Sequence, residues 1–106
     1  MIKYNDFLKL DIRIGTIIEV FKVENADKLL KLIIDFGFEK RQILVGIAEF
    51  YDVSDLVGKQ VPALINLEPK KLKGFDSQGM ILVADEHGRA ILLHPDKEIL
   101  NGSKIF

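Results

Sequence analysis

The chain has no cysteine, no tryptophan and three prolines in 106 residues. Without cysteine there is neither a disulfide nor a thiolate metal site, so an apolar core has to hold the fold. Aromatic residues are scarce, seven Phe and two Tyr, which argues against a surface built to stack a long run of unpaired bases. Neither sign of charge dominates: 15 Lys and Arg stand against 16 Asp and Glu, for a net charge of −1. The total charge is therefore silent about a polyanionic partner, and its distribution must decide. Long apolar runs are missing too. Stretches such as MILVA and AILL fall far short of the roughly 20 residues that cross a bilayer. The opening MIKYNDFLKLDIRIG is interrupted by charge too often for a signal peptide. The cytoplasm, with no membrane partner, is the expected location.

What is present is a hydrophobic content of 48%, enough for a core. No composition shift, repeat or low-complexity segment divides the sequence, so residues 1–106 are expected to form one domain. YNDFLKLD reads as a single helical turn capped by Asn5, with Phe7 and Leu8 turned inward. DIRIGTIIEVFKV reads as a strand with Ile12, Ile14, Ile18 and Val20 on one face. A turn at Asn25-Ala26-Asp27 leads to a second strand from Leu29, and RQILVGIA gives a third from Arg41. Ser54 and Gly58 bracket a short helix as N-cap and C-cap. KQVPALINL is a fourth strand, placed at an edge or at its start by Pro62. GMILVA is a fifth, DEHGR turns into AILLH, and PDKEILNGSKIF forms a tail. This order predicts an all-β OB-fold: a five-stranded Greek-key barrel with a short helix between strands three and four and an added C-terminal strand or tail. An SH3-like barrel shares the same periodicity.

Catalytic constellations are not found. His87 lies in a turn and His94 before a proline, neither with metal-ligand spacing around it. Asp27, Asp35, Asp52 and Asp55 fall in turns, where aspartate bonds the backbone. Gly58-Lys59 does not complete a phosphate loop, since Val53 and Gln60 stand where glycine and a hydroxyl are required. No enzyme activity, metal or cofactor is expected.

The concentrated feature is NLEPKKLKGFDSQGM, Asn66 to Met80, with Lys70, Lys71 and Lys73 between Pro69 and Gly74. Three ammonium groups this close repel one another unless an anion faces them. The alternative is an ordinary solvated loop. Asn66, Ser77 and Gln78 beside them supply neutral hydrogen-bonding groups, the mixture expected of a nucleic-acid surface. Lys28, Lys31, Lys40 and Arg41 form a second basic group on the second and third strands, the usual OB binding face. Acidic residues gather elsewhere, at Glu49, Asp52 and Asp55, at Asp85 and Glu86, and at Asp96 and Glu98. Phe75 and Phe38 are available to stack on a base or to plug their own loops. Recognition of folded RNA by shape and backbone fits so few rings better than a run of stacked bases.

DIRIGTI, NADKLLKL, RQILVGIA, LVGKQV and NLEPKKLKGFDSQGMILVA, in this order and spacing, resemble the tRNA-binding domain family over essentially the whole chain. That family includes free-standing dimeric tRNA-binding proteins and the C-terminal appendix of many methionyl-tRNA synthetases. The resemblance implies non-catalytic binding of tRNA with little sequence preference, in trans for methionyl-tRNA synthetase or as its detached subunit. Carried over by position, it points to Lys28, Arg41, Asn66, Lys70, Lys71 and Ser77 as binding residues. Lys31, Lys73 and Gln78 join them from the basic groups and the loop, while Met80 supports the loop from beneath. Lysine at 70, where relatives often carry arginine, keeps charge and loses the planar fork. The resemblance also implies a homodimer, with a tail from about residue 95 to 106 ending in the apolar Ile105-Phe106. A start at Met1 and an end soon after the barrel are expected of a free-standing chain. A secretion-associated chaperone that shares the DIRIGT opening and a similar tail gives the competing function, peptide binding on the same fold.

Overall fold

The computed structural model describes residues 1–106. Two single-turn helices, α1 (Tyr4–Phe7) and α2 (Val53–Leu56), punctuate ten strand segments. These are β1 (Ile12–Lys22), β2 (Leu30–Asp35), β3 (Lys40–Val45), β4 (Gln60–Leu64), β5 (Lys70–Leu72), β6 (Phe75–Ser77), β7 (Met80–Ile81), β8 (Val83–Glu86), β9 (Arg89–Leu92) and β10 (Lys104–Ile105). The main sheet runs β3-β2-β1-β4-β7, antiparallel throughout, with β10 pairing with the start of β1. Segments β6 and β7 come back against β3. The result is a nearly closed five-stranded barrel of the OB type, as the strand-helix-strand order predicts.

Alternation explains the core. In β2, Leu30, Leu32 and Ile34 are buried while Lys31, Ile33 and Asp35 face outward, half-covered. Phe36 follows, fully buried, and joins Ile17, Ile43, Leu56 and Val61 in the central cluster. Strand β1 departs from the simple alternation. A register irregularity lies between Ile17 and Glu19, and such a bulge reverses which face later residues occupy. Val20, after the bulge, therefore shares the core face with Ile17, before it, whereas Ile12 and Ile14 are buried outside the central cluster and Ile18 is only half-buried. Gly15 sits on the inner face: a Cβ there would lie 2.5 Å from Ile34 Cγ2 and 2.8 Å from the Phe36 ring.

Pro62 lies at neither an edge nor a strand start. It sits mid-strand opposite Ile14, between β1 and the β7 side. Ile14 spends its own N–H and C=O on Ser103 and Gly102. The Ile14–Pro62 pair thus exchanges no ladder bonds, and the missing proline N–H leaves no gap there. The helix caps also differ from expectation. Asp52, not Ser54, is the N-cap of α2, and Gly58 follows its C-cap at φ +94°. Lys3, not Asn5, precedes α1, where the Asp6 carboxylate takes the Lys3 N–H at 3.0 Å; Leu8 points outward. The expected fifth strand is two pieces, β7 and β8, and β8–β9 turns through His87-Gly88 at φ +51° and +86°.

Candidate nucleic-acid interface

The lysine stretch folds as a separate hairpin, β5–β6, with Lys70 opposite Ser77, Lys71 opposite Asp76 and Leu72 opposite Phe75. Its two-residue loop is Lys73-Gly74, both at positive φ, +50° and +86°. That is the I′ geometry whose twist matches paired strands. Lys70, Lys71 and Lys73 are all exposed, and none lies within ion-pairing distance of a carboxylate; the four ion pairs are Lys9–Asp6, Arg13–Asp11, Arg41–Glu39 and Arg89–Glu86.

The hairpin lies along the free edge of β3, and the register of the strands makes a row. Lys31 stands opposite Leu44, the Leu44 N–H donates to Ser77 Oγ at 3.0 Å, and Ser77 stands opposite Lys70. Three strand spacings separate Lys31 from Lys70, roughly 14 Å at about 4.8 Å each. The two basic groups, distant in sequence, are thereby brought within a few strands of one another, with β6 between β3 and the lysines of β5. Lys28 lies just before β2, exposed, with its carbonyl accepting from the Ala48 N–H at 3.1 Å. Lys40 opens β3, opposite Asp35. Acidic groups are not wholly segregated from this region: Asp76 shares the hairpin and Glu39 adjoins Lys40.

The neutral residues of the stretch are committed to the fold. Asn66 accepts from the Asp11 N–H at 2.9 Å and donates to the Lys9 carbonyl at 2.7 Å, tying the hairpin's first foot to the N-terminal segment. Ser77 is 5% exposed, and its hydroxyl also donates to the Gly79 carbonyl at 3.0 Å. Gln78 clasps β3 in both directions: its side-chain oxygen accepts from the Gln42 N–H, and its own N–H donates to the Gln42 carbonyl. Gln42 answers by donating from its amide to the Asp76 carbonyl at 3.0 Å. Gly79 follows at φ +149°, where a Cβ would lie 2.9 Å from the Leu64 carbonyl, so a side chain would obstruct this closure.

Arg41 is spent in the same way. Its Nη1 donates to the carbonyls of Ile65 at 2.5 Å and Gln78 at 3.2 Å, one just before and one just after the hairpin. Nε and Nη2 both reach Glu39 Oε1, at 2.8 and 2.6 Å. One guanidinium nitrogen thus bridges the two feet while the other two hold Glu39, a planar set of donors that a lysine ammonium does not offer. Met80 does not lie beneath the loop; it is 46% exposed, because Ile81 takes the inward position of the two-residue β7. Lys31 is half-buried with its ammonium 4.9 Å from the Phe21 ring centre and 4.4 Å from that of Phe75. Phe38 is exposed and stacks on Phe36 at 6.3 Å.

Phe21, Gln42 and Gly79 also shape this site, beyond the residues expected from the sequence. Phe21 is an apolar residue at an outward strand position, a detectable signal. Gln42 carries none, since its partners lie more than thirty residues away.

A family model described as "Putative tRNA binding domain" matches residues 12–104. The chain belongs to this tRNA-binding domain family. A methionine–tRNA ligase from Methanothrix thermoacetophila is 50% identical over 105 residues, 99% of this chain and 16% of that protein. The chain thus spans about a sixth of the length of the curated relatives it matches. A solved MetRS-related protein from Pyrococcus horikoshii superposes with TM-score 0.95 at 34% identity, over 100% of this chain and 98% of that one. A chaperone, CsaA, from Bacillus anthracis superposes with TM-score 0.92 at 37% identity, over 100% and 99%. No helix is long and apolar enough to cross a membrane.

The tail lies on its own barrel. β10 pairs with Ile12 and Arg13, Gln60 bonds both the N–H and carbonyl of Ile99, and the Asn101 side chain meets Thr16 Oγ1 at 2.8 Å. Its apolar side chains are not all covered: Leu100 is 83% and Phe106 96% exposed, as are Ile2, Tyr4 and Leu8 of the N-terminal segment in smaller measure.

Proposed function

We propose that this chain binds tRNA by its folded shape and backbone, with little sequence preference and without catalysing a reaction. Lys70, Lys71 and Lys73 contact phosphates, with Lys28 at the flank. Asn66, Ser77, Gln78 and Arg41 act by holding the hairpin that presents them. The observation that carries this reading is a rigidly footed hairpin with three exposed, unpaired ammonium groups, in a chain of the tRNA-binding domain family. Unpaired lysines release condensed counterions from a polyanion without first breaking an internal bridge. The identity to methionine–tRNA ligases supports action in the cytoplasm beside that synthetase, in trans or as part of it. The exposed apolar side chains of both terminal segments support a homodimer joined outside the barrel, and two sites spanning one tRNA gain avidity if their spacing fits.

The likeness to CsaA, together with exposed Phe21, Phe50 and Leu67, favours peptide binding as the second reading. Titrating the protein with bulk tRNA and with an unfolded polypeptide, at low and at raised salt, separates the two. Tight tRNA binding that weakens steeply with salt is expected. Absent tRNA binding at low salt, with salt-insensitive peptide binding, would establish the chaperone reading instead.

A further inference from the structure

We infer that Lys31 is a positioning residue, docking the tip of the lysine hairpin onto β2, and not itself a phosphate contact. The inference rests on the reading of the hairpin as the tRNA-binding element. The hairpin forms its own two-stranded sheet, and its ties to β3 run through Gln42, Ser77 and Gln78, towards its feet. The tip is different. Gly74 has open space around it: a Cβ added there would meet nothing within 4 Å. What holds the tip is Phe75, whose ring faces the Lys31 ammonium at 4.4 Å.

Phe21, opposite Lys31 on the neighbouring strand, supplies a second ring at 4.9 Å. The ammonium is thus covered by two aromatic faces, each attracting it through its quadrupole. Lys31 consequently differs from Lys70, Lys71 and Lys73, which are exposed and face solvent. An undocked tip would carry its lysines through a wider range of positions, and tRNA would have to order them on binding. Docking in the free protein removes that cost beforehand.

Two variants test this, Lys31→Met, which keeps the stem and removes the charge, and Phe75→Leu, which keeps apolar bulk and removes the ring. Each should weaken tRNA binding about three- to tenfold, the range of one or two cation–π contacts, with the salt slope unchanged. The double variant should be no weaker than Lys31→Met alone, because that change already removes the contact made by Phe75. Without any RNA, amide hydrogen exchange across residues 70–77 should quicken in both single variants. The proposal is overturned if Lys31→Met lowers the salt slope by one phosphate's worth, about 0.7–0.9, or if hairpin exchange is unchanged in both variants. If Lys70/Lys71/Lys73→Ala binds tRNA like wild type, the tRNA reading of the hairpin fails, and the exchange comparison still decides the docking claim.

Discussion

Replacing Arg41 with methionine removes the bridge between the two feet of the lysine hairpin while keeping an apolar stem of similar length. Three groups lose a partner. The Ile65 carbonyl belongs to a residue only 7% exposed, and leaving a buried acceptor unpaired costs about 1–3 kcal/mol. The Gln78 carbonyl belongs to an exposed residue and water replaces the donor, so it adds little. The Glu39 pair is partly solvated, with side chains 23% and 43% exposed, and contributes no more than about 1 kcal/mol. Together the loss is about 2 kcal/mol, which for a domain of this size lowers the melting temperature by roughly 8–16 °C. Thermal melts followed by circular dichroism give the first readout, and tRNA titrations at several salt concentrations, run well below the variant's melt, give the second. A lowered melt with an unchanged salt slope is expected. An unmoved melt combined with a slope reduced by about 0.7–0.9 would make Arg41 a phosphate contact and refute its assignment as a staple.

Ser77→Ala strips a buried hydroxyl that serves both the Leu44 N–H and the Gly79 carbonyl, and a loss of about 1–3 kcal/mol is expected in urea unfolding. Gly15→Ala drives a methyl into Ile34 and Phe36; overpacking of this kind costs about 1–3 kcal/mol, visible as a lower urea midpoint. Leu100→Glu combined with Phe106→Glu changes only exposed side chains. For the proposed homodimer, sedimentation should show the wild type as a dimer and the double variant as a monomer with a little-altered melt; a monomeric wild type, or a variant that stays dimeric, contradicts this contact.

Much of the architecture is legible in the chain because its signals are local. The His87-Gly88 pair announces a hairpin turn and the alternation in LKLIID a half-buried strand, whereas the lysine stretch reads as a turn between two strands and not as a separate two-stranded hairpin. The face of β1 was not legible, since a bulge near Ile18 is set by pairing with β2 and leaves no mark in hydrophobic periodicity. The capping of α2 shows the same limit, Asp52 and Ser54 being equally suited as residue types. Within the site, lysines could be read as exposed charge because burying them unpaired is so costly. Asn66, Ser77, Gln78 and Arg41 could not be sorted in advance. Residues that hold a backbone and residues that hold a ligand are of the same types, and only the long-range partners distinguish them. Met80 was misplaced for a simpler reason: in a two-residue strand, parity alone decides which side chain goes in.

The most direct measurement is the salt dependence of tRNA affinity in wild type and in Lys70/Lys71/Lys73→Ala. With three phosphate contacts removed, the log–log slope should become shallower by roughly 2 to 3, most of the low-salt affinity should vanish, and the melt should hardly move, since exposed lysines add little stability. Identical slopes and affinities in the two proteins would contradict the assignment of this hairpin to tRNA.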